Sequence, residues 1–122
     1  IPGQSLYEVI REIGILSTAD SQFYVASMIL LLEYLSELEV VVRDLKPDNF
    51  IVDEKGYIYL CSLSSSKCIK DKHKTSTVIG TPHYMAPEII LGKEYNELVD
   101  LWSVGVMLYE FMLGELPFGA YT

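Results

Sequence analysis

The stretch Arg43-Asp44-Leu45-Lys46-Pro47-Asp48-Asn49 says more about fold and chemistry than any other part of this chain. The carboxylate of Asp44 can accept a proton from a hydroxyl group, and the ammonium group of Lys46 can neutralise developing negative charge. The side-chain oxygen of Asn49 is a suitable ligand for magnesium. A carboxylate, a cation and an oxygen ligand on one short loop meet the needs of phosphoryl transfer from a nucleotide.

The composition indicates one small acidic domain with a substantial core. The chain has 122 residues, of which 50% are hydrophobic, and its formal net charge is −8. The acidity argues against a surface that binds nucleic acid, and it suits a partner or substrate that carries Arg or Lys. So high an apolar fraction in an acidic chain is also expected of half a larger domain whose other half covers one face.

The cysteine content and the hydropathy indicate in which cellular compartment the protein is expected. Cys61 and Cys68 provide no disulfide framework, so we expect a reduced compartment and a cytoplasmic protein. No signal peptide is visible, and the longest apolar run, Met28 to Leu32, is too short to cross a bilayer. We therefore expect no membrane partner. The first residue is Ile1 rather than Met, which suggests a piece of a longer polypeptide.

Helical spacing of apolar residues predicts three helices, within residues 3–14, from about Thr18 to Leu38, and from about Glu97 to Met112. Ser17 is a suitable N-cap for the second helix. Because that helix is apolar nearly all round, we expect it to be buried. The third helix and its tryptophan, Trp102, are also expected in the core.

Strand-forming residues predict a small β-hairpin. They occupy Phe50 to Val52 and Tyr57 to Cys61, and Glu54-Lys55-Gly56 between them favours a tight turn. The segment from Ser62 to Pro87 is polar and has no clear period, so we expect a long loop, which in a compact domain is usually functional. The sequence therefore predicts a mainly α-helical domain with a small β-hairpin.

Five short motifs fall in order along these elements, and together they establish a resemblance. They are Arg43–Asn49, Gly80–Tyr84, Ala86–Glu88, Asp100–Gly105 and Leu116–Phe118. With them the chain closely resembles eukaryotic Ser/Thr protein kinases of the AGC group, in particular cGMP-dependent and other cyclic-nucleotide-dependent kinases. The resemblance implies an α+β fold in which residues 1–122 form a partial C-terminal lobe, from after the hinge to just past the helix called F. The small lobe and the final helices would then lie outside this chain.

The resemblance implies catalytic roles for residues of the quoted stretch and its surroundings. Asp44 would be the catalytic base and Lys46 the charge stabiliser, and Thr81 would hydrogen-bond both of them. Asn49 would be a magnesium ligand, and the aliphatic side chain of Ile51 would pack beneath the adenine of ATP.

The resemblance also implies a phosphorylation site and a substrate site. Thr77 matches the activation-loop threonine that is phosphorylated, with Arg43 and Lys67 as the cations that face its phosphate. Asp48 and Glu110 match two carboxylates that bind an Arg upstream of the phosphorylated residue of a substrate.

Two further carboxylates have structural roles in kinases. Asp100 matches an aspartate that accepts backbone N–H groups of the catalytic loop, and such partners are required because Asp100 lies within an apolar helix. Glu88 matches a glutamate that pairs with an Arg in the part of the lobe beyond Thr122. In this chain we therefore expect Glu88 to be unpaired or solvated.

The chain departs from the kinase pattern at the metal motif. Ser62-Leu63-Ser64 stands where the family has Asp-Phe-Gly, so Ser62 replaces the main magnesium-binding aspartate. A neutral hydroxyl is a poor substitute for a carboxylate beside a hard cation. The Gly-rich loop and the lysine and glutamate of the small lobe are also absent from these 122 residues. We therefore expect ATP and magnesium, the cofactors of the family, to bind poorly, and this chain alone to be inactive.

Three functions stay open. The chain can belong to an enzyme whose longer parent supplies the small lobe and phosphorylates Ser or Thr of a protein substrate. It can instead be a pseudokinase, a module that uses Asp48 and Glu110 to bind a partner with basic residues. The third alternative is a truncated product without function.

Overall fold

The structure is a computed structural model that describes residues 3–61, 67–68 and 82–118. The expectations for Ser62, Thr77 and Thr81, and for most of the loop that ends at Pro87, lie outside the described residues. For Lys67 the structure describes the backbone but not the side chain.

The described ranges contain four α-helices, five short strands and two 3₁₀ turns. In chain order these are β1 (Gln4–Ser5), α1 (Leu6–Ile13), α2 (Thr18–Glu37), β2 (Val40–Val41), a 3₁₀ turn (Pro47–Asn49), β3 (Phe50–Val52), β4 (Ile58–Leu60), β5 (Lys67–Cys68), a 3₁₀ turn (Pro82–Tyr84), α3 (Pro87–Ile90) and α4 (Leu98–Leu113). One antiparallel sheet has the order β1-β3-β4, and β2 pairs with β5 in a second. The predicted class, mainly helical with a small hairpin, is confirmed.

Local signals set the ends of the helices. The Ser17 hydroxyl accepts the backbone N–H of Asp20 at 3.1 Å, which caps α2, and such a cap is worth about 1 kcal/mol. Helix α4 ends at Gly114, whose φ of 77° lies in the left-handed region that favours glycine. Both predicted long helices are confirmed to within one residue at each end.

The expected burial of α2 is wrong. Of its residues only Ser21, Met28 and Leu35 are buried, whereas Leu30 is 66% and Tyr34 is 59% exposed. Among the described elements the helix packs mainly on α4 and β2, and Phe23 also meets Tyr57 just before β4, with ring centroids 6.0 Å apart. Apolar composition on both sides therefore did not decide which side is buried.

No helix in the described part of the chain is long and apolar enough to span a membrane.

The expected core position of Trp102 is also wrong. Its side chain is 38% exposed and stacks on Phe118, with ring centroids 5.8 Å apart. The neighbouring Leu101 is 50% exposed and lines an open pocket together with Ile29 and Leu32 of α2. The opposite side of α4 is buried and consists of Val99, Asp100, Ser103, Val104, Val106, Met107, Glu110 and Phe111.

Helix α4 contributes to two hydrophobic clusters, and the segment from Val41 to Asn49 lies between them. The larger cluster includes Met107 and Phe111 of α4, together with Val42 and Leu45. The second cluster consists of Val41, Met85, Ala86, Ile89, Tyr95 and Val99. The start of the loop is therefore packed on both sides.

A buried carboxylate on α4 fixes the backbone of this loop. Asp100 is 1% exposed, and its Oδ2 and Oδ1 accept the N–H groups of Val42 at 2.7 Å and Arg43 at 2.8 Å. Arg43 has a φ of 74°, a left-handed conformation that costs about 1–2 kcal/mol. Hydrogen bonds to a charged group contribute about 1.5–3 kcal/mol each, enough to offset that strain. Burial raises the pKa of Asp100 to about 6, although both N–H groups and the charge of Arg43 act to lower it.

The contrast in burial along α2 gives the first prediction. Met28→Ala removes a side chain that is 0% exposed, so we expect the free energy of unfolding to fall by about 2–5 kcal/mol. Leu30→Ala, two residues away and largely exposed, should change it by less than about 0.5 kcal/mol. Urea denaturation of both variants measures the difference. Equal losses would contradict the described orientation of α2.

The buried carboxylate gives the second prediction, which concerns pH. The pKa of Asp100 is about 6 in the folded chain, above its ordinary 3.8, so its contribution to stability is complete below about pH 4 and is lost as pH rises through 6. We expect the wild type to gain stability over Asp100→Asn as pH falls from 7 to 4, by up to about 3 kcal/mol. Urea denaturation across this range measures the difference, with the exposed Glu37→Gln as control. A difference between wild type and Asp100→Asn that does not vary with pH would refute the shift.

Candidate active site

The loop brings Asp44, Lys46 and Asn49 together on one turn. Lys46 Nζ lies 3.7 Å from Asp44 Oδ2, and both side chains are partly exposed. Pro47 begins the 3₁₀ turn and fixes its own φ. The turn is closed twice, because the N–H of Asn49 bonds to the carbonyl of Lys46 and the N–H of Lys46 bonds to Asn49 Oδ1, each at 3.0 Å. A carboxylate that can take a proton thus lies beside a cation that can balance negative charge.

The described donors do not form a strong magnesium site. Asn49 Oδ1 already accepts the N–H of Lys46, which leaves one lone pair. Among the described residues, no group of three or more His, Cys, Asp or Glu is placed to hold a metal ion. Magnesium in proteins usually depends on carboxylate oxygens, and a single neutral oxygen does not replace them. The residues in the described ranges therefore do not fit a firmly held magnesium ion.

Ile51 lies in β3, directly after the turn. It pairs with Tyr59 of β4, so both side chains are on the same face of the sheet. Ile51 is half-buried and Tyr59 is 42% exposed. The two residues form a partly apolar surface two positions after Asn49, on which a flat base can pack.

Asp48 and Glu110 form an acidic pair on the other side of the turn. Glu110 is 8% exposed, and its Oε1 accepts the hydroxyl of Tyr84 at 2.7 Å. Burial raises the pKa of Glu110, the charge of Asp48 raises it further, and Tyr84 and His83 act in the opposite direction. Asp48 itself is exposed. The two carboxylates are therefore close enough to repel each other.

A cavity opens onto the buried member of this pair. Its volume is about 370 Å³, and it is lined by Tyr7, Ile10, Arg11, Gly14, Glu110 and Gly114. The guanidinium of Arg11 lies over the ring of Tyr7, 5.6 Å from its centroid. The wall of the cavity thus contains a carboxylate and a guanidinium group, and the aromatic ring is already paired with that guanidinium.

The remaining site residues lie further from the turn. The carboxylate of Glu88 on α3 is half-buried and makes no hydrogen bond or ion pair with the described part of the chain. The backbone of Lys67 pairs with Val41 across β5 and β2, two residues before Arg43. Arg43 is buried, and its Nη1 donates to the hydroxyl of Tyr95 at 3.4 Å.

Sequence reasoning assigned no role to two tyrosines that contact these residues. Tyr84 lies within the Gly80–Tyr84 motif, so its position in a motif was the available signal. Tyr95 had no such signal, since its contact with Arg43 joins residues 52 positions apart. Ser5 has a local role, because its hydroxyl accepts the N–H of Glu8 and caps α1.

Comparison with known proteins identifies the family of the chain. Residues 1–122 match the family model described as a protein kinase domain. The chain is 52% identical over 120 residues to a cGMP-dependent protein kinase of Plasmodium berghei (strain Anka), with 98% of this chain and 14% of that protein covered. It is 49% identical over 119 residues to a cGMP-dependent protein kinase of Toxoplasma gondii, with 98% and 12% covered.

A more distant relative belongs to the same group of kinases. The cAMP-dependent protein kinase catalytic subunit 3 of Drosophila melanogaster is 39% identical over 125 residues, with 98% of this chain and 21% of that protein covered. The chain thus spans between 12% and 21% of the length of these three relatives. With a family match along all of its residues, the chain belongs to the protein kinase family and is similar to AGC-group serine/threonine kinases, among them cGMP-dependent kinases.

Proposed function

We propose that this chain is the catalytic-loop and substrate-binding part of a cytoplasmic serine/threonine protein kinase domain, and that its 122 residues alone do not transfer phosphate. The observation that carries the proposal is the single turn on which Asp44, Lys46 and Asn49 meet, with its entry held by Asp100. Kinase chemistry depends mainly on positioning and charge stabilisation, and this turn provides groups for both.

The residues of the turn have separate tasks in this proposal. Asp44 accepts the proton of a substrate Ser or Thr hydroxyl, because its carboxylate is partly exposed at the surface of the loop. Lys46, 3.7 Å away, balances the negative charge that develops on the transferred group. ATP supplies that phosphoryl group when it is bound, and Ile51 is the residue of this chain that would contact its base.

Features of the sequence and of the structure support inactivity of the chain by itself. Ser62 occupies the place of the magnesium-binding aspartate, and no group of three or more His, Cys, Asp or Glu in the described ranges is placed to hold a metal ion. Loss of such a ligand costs a few kcal/mol of transition-state stabilisation, or about 10²–10⁴ in rate. The 122 residues also lack a Gly-rich loop. The proposal therefore includes a small lobe in a longer polypeptide, and residues 1–122 are then part of the large lobe.

The acidic pair supports a protein substrate with basic residues. Asp48 is exposed, and its charge acts on Glu110, so the two carboxylates are near enough to share one cation. A guanidinium group fits best, because it can bond to two oxygens at once.

A second candidate function follows from the same pair. A pseudokinase that binds a basic partner needs Asp48 and Glu110 but needs neither Ser62 nor the magnesium ligand. Burial raises the pKa of Glu110 and the charge of Asp48 raises it further, so a cation placed beside the two carboxylates relieves their repulsion.

The metal motif gives the third prediction. In the polypeptide isolated at its native length, we expect Ser62→Asp to raise magnesium-dependent phosphorylation of a basic Ser peptide by about 10²–10⁴, because a carboxylate ligand returns. Incorporation of labelled phosphate measures the rate, and Asp44→Asn in the same background should abolish the gain.

Intact-mass measurement of the native protein comes first. A species near 13.8 kDa, or no gain in rate, would leave the binding module as the better reading.

The acidic pair gives the fourth prediction. An Arg-Arg-Ala-Ser peptide should bind the chain, and Glu110→Gln should weaken binding by roughly tenfold, because a buried charged partner is lost. Calorimetric titration measures the affinity, with a Gln-Gln-Ala-Ser peptide and the remote Glu37→Gln variant as controls. Ser62→Asp should leave this affinity unchanged. Equal binding of both peptides would rule out recognition by the acidic pair.

A further inference from the structure

Arg43 immediately precedes the candidate base, Asp44, and its backbone is strained. Its φ of 74° is uncommon for a residue with a β-carbon, and such strain persists only where the surroundings enforce it. Asp100 holds the backbone of Arg43, because its Oδ1 accepts the N–H group of Arg43 at 2.8 Å. The side chain is held separately, because Arg43 is only 8% exposed and cannot extend into solvent.

The guanidinium group of Arg43 meets the hydroxyl of Tyr95. Nη1 donates to the phenolic oxygen at 3.4 Å, and Tyr95 is 3% exposed. The ring of Tyr95 belongs to the second hydrophobic cluster, together with Val41 just before the loop and Ile89 of α3. An acceptor on a ring fixed in this way restricts the orientation of the guanidinium group.

We propose that Tyr95 is a positioning residue for the catalytic loop, which acts by holding the side chain of Arg43. Arg43 is then anchored at two points, by Asp100 through its backbone and by Tyr95 through its guanidinium group. Because the peptide bond to Asp44 begins at Arg43, a restrained Arg43 limits the orientations open to the Asp44 carboxylate. The effect on catalysis rests on the proposed function, whereas the contact itself does not.

The hydroxyl and the ring of Tyr95 have different roles, so their contributions can be tested separately. The ring fills space in the hydrophobic cluster, and Tyr95→Phe preserves it. The hydroxyl provides the acceptor, and Tyr95→Phe removes it. A purely structural tyrosine would tolerate this change without any effect on Arg43.

Hydrogen exchange measured by NMR on the 122-residue chain provides the test. The chain has two arginines, Arg11 and Arg43, so two Nε–H signals are expected, and Arg11 serves as an internal reference. Tyr95→Phe should accelerate exchange of the Arg43 Nε–H and of the Arg43 and Asp44 amides by roughly tenfold, the worth of one hydrogen bond. The unfolding midpoint should change little. Tyr109→Phe, at an exposed tyrosine of α4, is the matched control.

A double-mutant cycle distinguishes a positioning role of Tyr95 from a general loss of rigidity in the loop. In an Arg43→Met background, Tyr95→Phe should no longer change exchange at Asp44, because the group that it restrains is gone. An unchanged Arg43 signal in the single variant, or the same acceleration in both backgrounds, would overturn the proposal.

The catalytic consequence is measured in the native-length Ser62→Asp protein. There, Tyr95→Phe should lower kcat by roughly tenfold and leave KM unchanged, because a misplaced base affects the reaction more than binding. An unchanged kcat overturns the catalytic part of the proposal. Absence of turnover in the Ser62→Asp parent counts against the proposed function instead, and the exchange experiment still decides the role of Tyr95.

Discussion

The carboxylate of Asp100 accepts two backbone N–H groups that precede it by 58 and 57 residues. Neither N–H group belongs to a regular element that would satisfy it, and the second belongs to a residue in a left-handed conformation. The loop therefore adopts its shape only when α4 has packed against it. The strained backbone at Arg43, which leads into the turn that presents Asp44 and Lys46, depends on this one carboxylate.

The same carboxylate combines two opposing requirements. Its negative charge makes the hydrogen bonds strong, but burial makes that charge costly, and the raised pKa of Asp100 reflects the balance. Burial also makes the charge of Glu110 costly, ten residues later on α4. Among the described residues its carboxylate accepts a hydrogen bond from Tyr84, and it lies in the wall of a cavity. One helix thus presents two buried acids, of which one is fully committed to the loop and the other is accessible to a ligand.

The local features of this fold could be predicted from the sequence, whereas the contacts between distant elements could not. The Ser17 cap, the Gly114 terminus and the hairpin at Gly56 depend on residues within a few positions of each other, so short-range chemistry predicts them. The exposure of Leu30 and Trp102 depends instead on which other surfaces reach each helix, and hydrophobic composition does not contain that information. The turn with Asp44, Lys46 and Asn49 was predictable because it is local. The contact of Arg43 with Tyr95 was not, since no periodicity or motif relates the two residues.

The apolar sides of α2 and α4 that remain in contact with water also affect the thermal behaviour of the chain. The heat capacity change of unfolding arises mainly from apolar surface that becomes newly hydrated. Side chains such as Leu30, Leu98 and Leu101 are already hydrated in the folded state and add little to it. The dependence of stability on temperature should therefore be flatter than for a compact protein of this length, with a broad, shallow maximum and a gradual approach to both heat and cold denaturation.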